Sequence, residues 1–105
     1  MMYFISLGLQ APESDYPNLR NALEALGPWS NRMPNLWMVE SRLSSRKIRD
    51  LLKPHLRPND RLMVAQITRN WAGTGMGDGF PEWMSRRTFD GGTVVVDPVK
   101  PQESQ

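Results

Sequence analysis

The sequence predicts an α+β fold: a ferredoxin-like βαββαβ unit with an extra C-terminal strand, its two helices on one face of an antiparallel sheet. Three observations carry this. Strand-like runs occupy residues 2–9, 36–40 and 61–68. Apolar stripes at helical spacing fill 15–26 and 45–53. A short Pro34-Asn35 turn joins the two middle strands and favours antiparallel pairing.

In the first strand Tyr3, Ile5 and Leu7 share one face while Phe4 and Ser6 point the other way, and Gln10-Ala11-Pro12 breaks it. The helix at 15–26 has Ser14 or Asp15 as its expected cap and Pro17 in its first turn, where a missing N–H costs nothing. Leu19, Ala22, Leu23 and Leu26 form its apolar stripe, and Gly27-Pro28 ends it. Residues 29–40 read as a hairpin with a polar first arm and a more apolar second, Leu36-Trp37-Met38-Val39-Glu40. Ser44 is the expected cap of the second helix, whose core face is Ile48, Leu51, Leu52 and Leu56. Pro54 requires that helix to loosen or stop.

The strand at 61–68 is apolar on both faces, which suits a position covered on both sides. Residues 80–87 allow one or two helical turns, and Thr93-Val94-Val95-Val96 is the extra strand. The chain fits one domain, residues 1–98, followed by a polar tail at 99–105 that is expected to be disordered. With both helices on one sheet face, the other face carries Phe4, Met38, Met63, Ala65 and Ile67, too apolar to stay bare. A homodimer through that face or through an edge strand would cover it, or residues 80–97 would cover it in cis.

Composition closes several classes of function. There is no cysteine, so no disulfide framework, thiolate zinc site or cysteine nucleophile is expected. His55 is the single histidine, which makes a histidine metal cluster or a Ser-His-Asp triad a poor fit. No apolar run approaches the ~20 residues of a membrane helix. The N-terminus lacks a basic leader region, and a cytoplasmic protein without a membrane partner is expected.

Charge is concentrated rather than absent. The net charge is +2, yet residues 41–61 hold seven basic residues, Arg42, Arg46, Lys47, Arg49, Lys53, Arg57 and Arg61, against Asp50 and Asp60. Arg42, Arg46, Arg49 and Lys53, spaced by four, three and four, should line one helical face opposite Ile48 and Leu52. Such a stripe can take phosphates or an acidic protein surface, or it can be an ordinary solvated face. Arginine leans towards recognition because its guanidinium grips phosphate or carboxylate in two-point fashion.

Glycines alternate through Gly73-Thr74-Gly75-Met76-Gly77-Asp78-Gly79, a spacing that fits neither the dinucleotide fingerprint nor a phosphate loop. A flexible connector is the simple reading, and a loop ordering on a ligand or partner is the sharper one. Trp71 and Trp83 flank this loop beside Arg69, Arg86 and Arg87, a grouping that could stack bases or close a small satellite core. Trp37 is expected in the main core.

Tyr3-Phe4-Ile5-Ser6, the Leu26-Gly27 helix end, Leu36-Trp37-Met38-Val39-Glu40-Ser41 and Asn59-Asp60-Arg61-Leu62-Met63-Val64-Ala65 together resemble a known group over about residues 2–70. The group is the small ferredoxin-like proteins related to the CRISPR adaptation nuclease and to VapD-type ribonucleases. The resemblance implies the scaffold and a homodimer. In that family an aspartate near the end of the first strand holds a divalent cation across the dimer axis. The matching stretch here is Ser6-Leu7-Gly8-Leu9-Gln10, with no carboxylate, and Glu13 or Asp15 would have to supply a displaced ligand for Mg²⁺.

Binding is therefore expected ahead of catalysis. The leading expectation is a dimeric nucleic-acid-binding protein with no cofactor, contacting its partner through the second helix. The alternative is an accessory factor or inhibitor from a mobile element or phage, presenting the same residues to a protein. A metal-dependent nuclease using Glu13, Asp15 or Asp60 is the third, and only that reading calls for Mg²⁺.

Overall fold

The computed structural model describes residues 1–89; the expected strand at 93–96 and the tail at 99–105 lie outside them. The described chain runs β1 (Met2–Gly8), a 3-10 turn (Glu13–Asp15), α1 (Pro17–Glu24), β2 (Trp29–Met33), β3 (Leu36–Glu40), α2 (Ser45–Leu52), a second 3-10 turn (Lys53–His55), β4 (Arg61–Ile67) and α3 (Phe80–Ser85). The fold is α+β. One four-stranded sheet has the order β2-β3-β1-β4 and every neighbouring pair is antiparallel. These pairings are compatible with the expected ferredoxin-like arrangement.

Register follows the period-2 alternation. Tyr3, Ile5 and Leu7 stand opposite Gln66, Val64 and Leu62 of β4, and Tyr3 and Ile5 stand opposite Val39 and Trp37 of β3. This inner face packs under Leu19 and Leu23 of α1 and Ile48 and Leu52 of α2, all at most 1% exposed. The two helical stripes thus meet one sheet face, except for Leu51, which the spacing puts on the core face of α2 and which is 42% exposed. Burying side chains of this size contributes ~1.5–3 kcal/mol each.

The helix boundaries shift for identifiable reasons. At residues 13–15 the chain makes a 3-10 turn, with the Asp15 and Tyr16 N–H groups donating to Pro12 and Glu13, so neither Ser14 nor Asp15 caps α1. Helix α1 starts at Pro17 after Tyr16, without a side-chain cap, and stops at Glu24. Gly27, at φ 148°, then turns the chain so tightly that a Cβ there would overlap the Glu40 carbonyl oxygen. Ser44 does cap α2, its hydroxyl accepting the Lys47 N–H at 3.1 Å. Pro54 converts the following turn to 3-10.

The outer sheet face is covered in cis in part. Phe80 and Met84 of α3, together with Phe89, pack on Met2 and Met38, with Phe4, Ile67, Trp71, Met76 and Trp83 around them. The premise for a dimer across this whole face is thereby reduced, because the same chain occupies part of it. Met33 and Met63 remain 48% and 60% exposed. Among the described residues no helix is long and apolar enough to cross a membrane.

Candidate partner-binding surface

The segment ahead of α2 is anchored before it displays any charge. The buried Tyr3 side chain donates its hydroxyl to the Leu43 carbonyl at 2.6 Å, and burial raises its pKa, keeping it a donor. The Ser41 hydroxyl accepts the Leu43 N–H at 3.1 Å. The chain enters α2 through Ser44 in an extended conformation, φ −74° and ψ 162°. Arg42 therefore precedes the helix instead of lying on its face, a correction to the four-residue stripe. Arg46, Lys47, Arg49 and Lys53 follow on the exposed side, since Ile48 and Leu52 take the buried one.

Their partners divide the basic residues. Arg42, Arg46, Lys47 and Lys53 are exposed and make no ion pair among the described residues. Arg49 is held by Asp50, with Nε and one terminal nitrogen at 3.0 and 2.9 Å from the same carboxylate oxygen. Arg57 is turned inward: its guanidinium lies 4.4 Å from the Tyr16 ring centroid and donates to the Asp15 carbonyl at 3.0 Å. Arg61 stands opposite Gly8, a position of the outer face. Among the described residues Arg42, just before α2, and Arg46, Lys47 and Lys53, on it and at its end, thus make no ion pair.

The structure does not bring Arg69, Trp71, Trp83, Arg86 and Arg87 to that surface. They belong to the outer layer, across the sheet from α2. Trp71 meets Phe80 edge-on at 5.6 Å, and Trp83 stacks on it at 6.4 Å. Arg87 covers the Trp83 ring at 4.7 Å and lies 3.6 Å from Glu40, only 14% exposed. Arg69 covers Phe89 at 4.7 Å and donates to the Arg87 carbonyl at 3.2 Å. Arg69 and Arg86 are exposed and make no ion pair among the described residues. Trp71 and Trp83 thus close a satellite core, the simpler of the two sequence readings, with Arg69 and Arg87 laid over its rings.

Two arginines that the sequence did not single out hold loops. Arg32 of β2 donates to the Met76 and Asp78 carbonyls at 3.1 and 3.2 Å, so the glycine loop wraps a guanidinium. Gly75, Gly77 and Gly79 all have positive φ, and a Cβ at Gly77 would press on that guanidinium. The cavity between this loop and the outer face is about 290 Å³ and lined by apolar side chains such as Phe4, Met38 and Ile67. Arg20 of α1 bridges Glu13 and Glu24 at 3.2 and 3.1 Å and covers Trp29 and Trp37, at 5.7 and 5.1 Å from their centroids. Periodicity gives only the Arg20–Glu24 pair at i,i+4; the Arg32 contacts and the Arg20 contact with Trp37 join residues distant in sequence.

Two of the three carboxylates raised as metal ligands, Glu13 and Asp60, have other engagements. Glu13 Oε2 accepts from Trp37 Nε1 and from Arg20, each at 3.2 Å. Asp60 Oδ1 accepts the Gln10 N–H at 2.8 Å, and Oδ2 accepts the Tyr16 hydroxyl and the Arg57 N–H at 2.8 and 2.7 Å. Among the described residues no three histidine or carboxylate side chains gather as metal ligands would. Neither a family model, a curated protein nor a solved structure matches the chain.

Proposed function

We propose that this chain is a small nucleic-acid-associated protein on a ferredoxin-like scaffold, binding rather than cleaving, through α2 and the segment before it. The observation that carries the reading is that Arg42, Arg46, Lys47 and Lys53, on α2 and at its two ends, are exposed and make no ion pair among the described residues. A solvated face in a chain of net charge +2 does not require them there. Asp60 and Glu13 are satisfied within the fold, and Asp50, the one acid on α2, pairs with Arg49. Phosphates would recruit these cations by releasing condensed counterions, so affinity falls steeply with salt.

A homodimer in the cytoplasm belongs to the same proposal. Met63, on the edge strand β4 and 60% exposed, supports a second copy along that edge. Light scattering after gel filtration tests it, with a Met63→Glu variant expected to run as a monomer.

The test of binding is a fluorescence-anisotropy titration of labelled nucleic acid at low salt. The intact protein should bind, and Arg42→Glu, Arg46→Glu and Lys53→Glu combined should abolish binding while circular dichroism stays unchanged. Absence of binding at low salt refutes the reading. Binding that survives the triple reversal shows the surface to be only a solvated face.

A further inference from the structure

We infer that the ligand of the α2 surface is a double helix gripped by its phosphate backbone and not read by base sequence. This rests on the nucleic-acid reading above and specifies the form of nucleic acid.

The argument begins with the aromatic residues. Proteins that take single strands combine cationic grooves with aromatic rings on which unstacked bases lie. This chain has four tryptophans, two tyrosines and three phenylalanines, and all of them fall within the described residues. Tyr3, Tyr16, Trp37, Phe80 and Phe89 are at most 4% exposed. Phe4, Trp71 and Trp83 pack into the outer layer, across the sheet from α2. Trp29 is 36% exposed, but it sits on β2, the edge opposite the β4 edge against which α2 packs. Its ring is engaged with Trp37 at 4.9 Å and covered by Arg20. A base splayed out beside Arg46–Lys53 has no Phe, Tyr or Trp ring to stack on, and the nearby His55 imidazole is half-buried.

Of the two arginines of α2, only Arg46 is without an ion pair among the described residues, so base edges meet few readers there. The Arg49 guanidinium, centrally placed on α2, is committed to Asp50. Arg46 and Lys53 lie about 10 Å apart along the helix axis. A double helix presents about one phosphate charge per 1.7 Å of its length, all on its outside, so a short convex row of cations meets several charges without unstacking a base. Duplex DNA and duplex RNA share this chemistry.

The test uses the intact protein with labelled random-sequence DNA and RNA duplexes of about 20 base pairs and the matching single strands, titrated at roughly 50 and 200 mM salt. Duplex should bind at least about ten-fold tighter than single strand, and two unrelated duplex sequences should differ by less than about two-fold. With four cations engaged, duplex affinity should fall on the order of 100-fold between the two salt concentrations. Tryptophan fluorescence should stay unchanged on binding. A duplex-only response identifies which of DNA and RNA is held. Single strand bound equally or more tightly, quenched tryptophan fluorescence, or a marked sequence preference overturns this inference and leaves the nucleic-acid reading standing. Failure of every form to bind overturns both.

Discussion

The Tyr16 hydroxyl donates to Asp60 Oδ2 at 2.8 Å across 44 positions of sequence, and Asp60 also accepts the Gln10 and Arg57 N–H groups. One side chain thus ties the end of β1, the entry to α1 and the turn before β4. Burial raises the Tyr16 pKa first, with the hydrogen bond to Asp60 and its charge adding to the rise. For Asp60, burial alone would raise the carboxyl. The Arg57 and Gln10 N–H groups, the Tyr16 hydroxyl and the Arg57 guanidinium outweigh it and hold the carboxyl below its ordinary 3.8.

A carboxyl lowered in the folded state contributes stability that is fully present above its unfolded value and is lost as pH falls through the folded value. Melting temperature should therefore drop as pH falls below about 5, in part because of Asp60. Asp60→Asn should lower Tm by several degrees at neutral pH and make the acid limb shallower. Thermal melts across the acid range check this, and an acid limb as steep in the variant as in the native chain would assign the effect to other carboxyls.

The two turns carrying Gly27 and Gly75 should respond differently to alanine. Both have positive φ, but Gly75 has open space around the Cβ position while Gly27 faces the Glu40 carbonyl oxygen. Gly75→Ala should cost about 1–2 kcal/mol, the penalty of a left-handed backbone alone. Gly27→Ala should cost about 3 kcal/mol or more, since β3 must also shift. Denaturant melts of the two variants measure the difference.

Arg32 should control the order of the glycine loop. Its two hydrogen bonds, to Met76 and Asp78, are its direct ties between β2 and that loop. In Arg32→Ala, amide exchange across residues 73–79 should speed up while β1 and β3 stay protected. Uniformly faster exchange would mean that the loop supports the whole outer layer.

Asp50 should weaken binding in the native chain. It is the one acid on α2 and it holds Arg49. Asp50→Asn should tighten nucleic-acid binding by several-fold at low salt and steepen the salt dependence by about one phosphate contact, near 0.9 in logarithmic slope. Affinity equal to that of the native chain would place the contact elsewhere.

Element types and pairing partners were legible in the sequence because they depend on local rules. Alternation at Tyr3-Ile5-Leu7 marked β1, the Leu19–Leu23 and Ile48–Leu52 spacings marked α1 and α2, and Ser44 marked a cap. The helix ends were less legible, since the 3-10 turn at Glu13–Asp15 is held by backbone hydrogen bonds that any residue could make.

The sequence by itself determined an α+β chain whose positive charge is concentrated around its second helix, because side-chain period and charge are properties of neighbours in the chain. Which of those cations are free was decided only by tertiary structure. Arg57 is drawn onto Tyr16 and Asp15, Arg69 onto Phe89, and Arg87 onto Trp83 and Glu40, by partners 20 or more positions away except for Trp83, which precedes Arg87 by four. A charge is available to a ligand only where folding brings it no counter-charge or ring, and that is set by contacts between distant segments.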